Sequence, residues 1–138
     1  MWETEHSIET TASAENVWAL WEDVAGWPAW NADLERAELS GPFAPGSTIT
    51  MVSPGEDPIE LRIAEAVEPE RFVDRADLGS IVVRTEHRAE RVDAERIRVV
   101  YRMEITGPEA DTMGPEIGPR ISADFPEVLR SLVTLAAS

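Results

Sequence analysis

The sequence predicts an α+β domain: a curved antiparallel sheet of about seven strands wrapped around a long C-terminal helix, with two short helices after the first strand. Three observations carry this. Apolar and polar residues alternate with period two at the N-terminus and again through a long central stretch, the mark of half-buried strands. Between these strand regions, Val17, Leu20, Trp21 and Val24 recur at helical spacing. Beyond Gly107-Pro108 the period returns to helical, with Ile121, Phe125, Val128, Leu129, Leu132, Val133 and Leu135 on one stripe. A length of 138 residues fits one domain, residues 1–138, with room for a real core and none for a second.

Along the chain, residues 2–10 read as a strand with Trp2, Thr4, His6 and Ile8 on one face. Ser13 is a candidate N-cap for the first helix, which ends near Gly26. Trp27-Pro28-Ala29-Trp30-Asn31 reads as a single helical turn. Strands follow at 34–39 and 47–52, separated by Gly41-Pro42 and Pro45-Gly46. A third, 59–67, places Ile59, Leu61 and Ile63 on one face. Strands 72–78 and 81–92 meet at Gly79-Ser80, a two-residue hairpin signal. The last, 96–106, carries Ile97, Val99, Tyr101, Met103 and Ile105 opposite Arg98, Arg102 and Glu104. Gly114-Pro115 and Gly118-Pro119 predict a short or kinked lead-in, and Pro126 predicts a kink in the terminal helix.

Composition removes several classes of chemistry. There is no cysteine, which excludes disulfides, thiol nucleophiles and cysteine–zinc sites. All twelve basic residues are arginine, so Schiff-base lysines and P-loops are excluded too. With only His6 and His87, no histidine-rich metal centre is expected. A net charge of −15 should repel nucleic acid and anionic lipid. The first residues do not read as a signal peptide and no stretch reads as a membrane span, so a cytoplasmic protein is expected.

The run Ala14-Glu15-Asn16-Val17-Trp18-Ala19-Leu20, then Asp23-Val24 and Trp27-Pro28-Ala29-Trp30-Asn31, resembles the polyketide cyclase/dehydrase branch of the START-like (helix-grip, SRPBCC) superfamily. The turn Gly41-Pro42 to Pro45-Gly46-Ser47 and the ending Asp124-Phe125-Pro126, Leu129, Leu132 match it as well. The resemblance covers nearly the whole chain. It implies a hydrophobic cavity between the terminal helix, the short helices and the sheet. It does not choose among cyclases, lipid carriers, hormone receptors and co-chaperone domains.

Hairpin parity sharpens the candidate site. A two-residue turn at Gly79-Ser80 sets Phe72 opposite His87 and Asp74 opposite Thr85; a three-residue loop at 93–95 sets His87 opposite Tyr101. His87 and Tyr101 therefore become neighbours on the concave face, and a candidate acid/base pair. Candidate ligand contacts on the sheet are Met51, Leu61, Phe72, Asp74, Val83 and Thr85, with Met103 on the last strand. From the short helical turn come Trp27 and Trp30; from the terminal segment come Met113, Ile117, Ile121 and Phe125. Arg62, Arg98 and Arg102 fall on the outward parity, and the acidic residues of the terminal segment are expected to be solvated. The expected function is binding of a small hydrophobic or aromatic ligand of polyketide-, lipid- or isoprenoid-like character. The alternatives are a cyclase, aromatase or dehydratase using His87 and Tyr101, and a co-chaperone-like interaction domain. No metal or cofactor is expected, and the chain is expected to be a monomer or homodimer.

Overall fold

The computed structural model describes residues 1–138. Strand β1, Trp2–Thr10, is followed by helix α1, Ala14–Glu22, and a 3-10 helix, Val24–Ala29. Six strands come next: β2, Arg36–Ser40; β3, Thr48–Val52; β4, Ile59–Val67; β5, Arg71–Asp77; β6, Val82–Arg91; and β7, Ile97–Thr106. Two helices close the chain, α2, Ala110–Ser122, and α3, Phe125–Ala136. All neighbours are antiparallel in one seven-stranded sheet of order β1-β7-β6-β5-β4-β3-β2. This is the helix-grip architecture the sequence predicts.

Local chemistry explains the boundaries. The Ser13 side chain accepts a hydrogen bond from the Asn16 amide at 3.1 Å and so caps α1. At Gly79-Ser80 the Leu78 amide bonds the Ile81 carbonyl, and Gly79 supplies the positive φ of the turn. The Asp93 carboxylate accepts from the amides of Glu95 and Arg96, holding the loop before β7. Both hairpins therefore keep the parity read from the sequence.

A bulge between Ile63 and Glu65 changes the face of β4. Without it, alternation would turn Glu65 inward beside Leu61 and Ile63. With it, Glu65 faces outward and takes Arg84 at 2.9 Å and Arg71 at 3.4 Å. The bulge keeps a carboxylate out of the core.

The terminal segment differs from expectation at its breaks. Helix α2 runs through Pro115 and Pro119, and the interruption falls at Ala123–Asp124 rather than as a kink at Pro126. Pro126 occupies the first turn of α3, where the missing amide has no helical partner to lose. Gly114 and Gly118 lie directly on the Trp2 indole; a Cβ at either would come within 2.4 Å of that side chain. This close seat lets α2 cover β1 and β7, while α3 packs on β1 and α1. The core between these layers includes Trp21, Ile105, Leu129 and Leu132, all fully buried. No helix is long and apolar enough to cross a membrane.

Candidate ligand cavity

The curved sheet and its helices leave a cavity of about 280 Å³ between β3–β7, the 3-10 helix and the α2–α3 junction. Its walls are mainly apolar. Register places two rows of side chains on the concave face, part of which forms the floor. One row runs Phe72, His87, Tyr101, His6; the next runs Ile63, Asp74, Thr85, Met103. Asp74, Thr85, His87 and Tyr101 all line the cavity and all are buried.

His87 stacks flat on Phe72, with ring centroids 4.0 Å apart and planes 2° from parallel. Its Nδ1 lies 3.3 Å from the Phe72 carbonyl oxygen. A carbonyl only accepts, so Nδ1 carries the hydrogen and Nε2 keeps its lone pair. That lone pair faces Asp74 Oδ2 at 3.8 Å. Burial drives the imidazole down to about 3 against the weaker opposing effect of the Phe72 hydrogen bond, and pushes the Asp74 carboxyl up to about 7. Below about pH 7 both groups are neutral, and above it Asp74 ionises beside an imidazole that stays neutral, so they do not form an ion pair.

Tyr101 meets His87 edge to face at 4.6 Å, with no hydrogen bond between them. The Tyr101 hydroxyl accepts from Trp21 Nε1 at 3.2 Å. Burial, and secondarily the charges of Asp74 and Asp124, raise the phenol above its ordinary range. With its oxygen already engaged as an acceptor, its own hydrogen is free to donate.

Of the residues singled out from the sequence, Trp27, Trp30, Met51, Leu61, Val83, Ile121 and Phe125 also line the cavity. Trp27 and Trp30 are both buried and lie 5.9 Å apart, so they form a wall rather than an exposed gate. Trp27 Nε1 donates to the Trp21 carbonyl at 3.0 Å, which ties that wall to α1. Met103, Met113 and Ile117 do not reach the cavity. Met103 is wholly buried in the core, and Met113 and Ile117 pack against it from α2, the helix that the Trp2–glycine contact seats over β1 and β7.

Sequence reasoning missed a polar rim formed by Asn31, Asp33, Ser53 and Asp124. Asp124 was expected in solvent; instead it is half-buried and its carboxyl is raised to about 6, first by desolvation and then by a hydrogen bond with Asp33. The two aspartates come together only through the tertiary fold, so neither spacing nor parity foretells them. No three histidine or acidic side chains gather as a metal site.

A family model described as polyketide cyclase/dehydrase and lipid transport matches residues 1–137. Among solved structures, a norcoclaurine synthase point mutant from Thalictrum flavum, in complex with a transition state analogue, is 14% identical with a TM-score of 0.76; 98% of this chain and 93% of that one are covered. The Zhui aromatase/cyclase from Streptomyces sp. R1128 is 18% identical with a TM-score of 0.77, covering 98% and 93%. A Thermobifida fusca protein solved by NMR is 24% identical with a TM-score of 0.72, covering 95% and 93%. No curated protein matches the sequence. Identities this low speak for the shared fold alone, whereas the family match runs over almost every residue: the chain belongs to the polyketide cyclase/dehydrase and lipid transport family.

Proposed function

We propose that the protein binds one small hydrophobic or aromatic molecule inside the cavity. One observation carries this reading: an apolar-walled space of about 280 Å³ whose floor collects Asp74, Thr85, His87 and Tyr101. Ligand sites pair apolar walls with a few convergent polar groups in this way. Groups so placed orient a ligand by hydrogen bonds the protein itself leaves unmade. A volume just below the usual range of about 300–1,000 Å³ favours a ligand of one or two fused rings. Native mass spectrometry of the protein purified from its source cells tests it. A small molecule travelling with the folded chain supports the reading; a chain that carries nothing and takes up no apolar probe overturns it.

A second reading is favoured by the state of the polar groups. Asp74, held at about 7 by burial, is a base matched to neutral pH, and Tyr101 offers a free phenolic hydrogen, the complement that a cyclase, aromatase or dehydratase needs at a carbonyl; His87, held at about 3, is too weak a base for that step. In that chemistry the Asp74 carboxylate takes a proton from the carbon beside the carbonyl, the Tyr101 hydroxyl donates to the developing enolate oxygen, and the neutral His87 Nε2 accepts a hydrogen bond from a substrate hydroxyl. Asp74→Asn or Tyr101→Phe then abolishes turnover of a bound ketone while binding persists. Loss of binding alone in both variants contradicts catalysis.

A further inference from the structure

This inference rests on the reading that the cavity holds a ligand, and it concerns the charge of that ligand. The cavity is lined by three carboxyl groups, Asp33, Asp74 and Asp124, and by no arginine. Asp33 and Asp124 pair at the rim. Asp74 is the independent and stronger sign. It is only 5% exposed, lines the cavity, and has no hydrogen-bond partner; its nearest basic atom is His87 Nε2 at 3.8 Å.

His87 cannot act as its counter-ion, because burial keeps the imidazole neutral. The arginines nearest in register, Arg62, Arg75 and Arg84, alternate to the opposite face of the sheet. Asp74 and Asp124 both act electrostatically on the Tyr101 phenol, so their charges converge on one part of the cavity. The three carboxyls do not gather closely enough to ligate one metal ion, which leaves an organic cation. Trp27, Trp30, Phe72, Tyr101 and Phe125 line that space, and aromatic side chains attract cations.

We infer that the cavity is built for an apolar molecule carrying one protonated amine, the ammonium seated on Asp74 and drawn in past the Asp33–Asp124 rim. The ammonium supplies the partner that Asp74 lacks. It does so only when Asp74 is ionised, so binding expels the Asp74 proton below about pH 7 and strengthens as pH rises through that value. Asp124, from the α2–α3 junction, adds to the same trend as it ionises near 6. The remaining titratable groups facing Asp74 are His87 from β6 and Tyr101 from β7, both neutral across this window, and Asp33 from the segment before β2.

The test is a matched pair of probes, 1-naphthylmethylamine and 1-naphthalenemethanol, titrated calorimetrically into the full chain at pH 5.5 and 8.0. The amine is expected to bind at least about tenfold tighter than the alcohol at pH 8.0, the worth of one charge-assisted hydrogen bond, and to lose most of that preference at pH 5.5. In Asp74→Asn the two probes bind alike at both pH values. Should that variant fail to fold, wild-type titrations at pH 6.5 in two buffers of different ionisation enthalpy decide the matter, since amine binding releases a proton and alcohol binding does not. An alcohol that binds as tightly as the amine at pH 8.0, a preference that survives Asp74→Asn, or amine binding without proton release overturns the inference and leaves the cavity reading standing. Binding of neither probe overturns the cavity reading itself.

Discussion

The two faces of one sheet handle charge in opposite ways. On the convex face, arginines and glutamates interlock across strands: Arg88 reaches Glu86, Glu90 and Glu5, while Arg98 reaches Glu90 and Glu9. Arg102 binds Glu3 and Glu104. Val73 and Val100 lie on this same face and are buried outside the main core. On the concave face the titratable groups have no ionic partners, and burial moves them far from their ordinary values. Water screens the many paired charges outside, so each is worth little. It cannot screen the few inside, so each matters more. The number of ion pairs on a face is thus a poor guide to where the energy lies.

Removing the aromatic floor should break the contrast most severely. Phe72→Ala deletes a fully buried ring that stacks on His87 and meets Trp21 edge-on, and should lower stability in urea unfolding by about 3–5 kcal/mol.

Asp74→Asn sharpens the comparison through pH. The folded-state value of Asp74, about 7, lies above its ordinary 3.8, so its contribution is intact at low pH and is lost as pH rises towards 7. His87 has the opposite sign: its folded value of about 3 lies below 6.5, so stability is lost as pH falls from 6.5. Between roughly pH 4 and 6.5 the two slopes oppose each other in the wild type. Asp74→Asn should therefore gain about 2 kcal/mol at pH 8, where the wild type buries a charge, and fall more steeply than the wild type below pH 6.5. Denaturant midpoints across pH 4–8 check both halves.

Gly118→Ala probes the cover of the concave face. Its Cβ would meet the Trp2 ring at 2.4 Å, so the helix must shift at a cost of about 1–3 kcal/mol. Outside, Glu90→Gln loosens two arginines yet should change stability by less than about 1 kcal/mol, with the difference shrinking further in 1 M salt.

Much of this was legible in the sequence because a strand alternates strictly. Once the turns at Gly79-Ser80 and 93–95 are recognised, the meeting of Phe72, His87 and Tyr101 follows, as does that of Asp74 with Thr85. Three features were not legible. The bulge after Ile63 inserts one residue without any turn signal. The seat of α2 on Trp2 joins glycines more than a hundred positions away in the chain, and moves Met103, Met113 and Ile117 out of the cavity's reach. The Asp33–Asp124 rim likewise joins two loops that only the closed fold brings together. Local periodicity reports the face a residue takes, not which part of the opposing layer covers it.

The central claim is that the concave face encloses a ligand site, and filling that site tests it most directly. Ala76 lines the cavity from β5 and is buried. Titration with the neutral fluorophore N-phenyl-1-naphthylamine should give saturable one-to-one emission enhancement in the wild type. Ala76→Phe, shown by circular dichroism to keep the fold, should abolish it. Enhancement that never saturates, or that is equal in the filled variant, would contradict the claim.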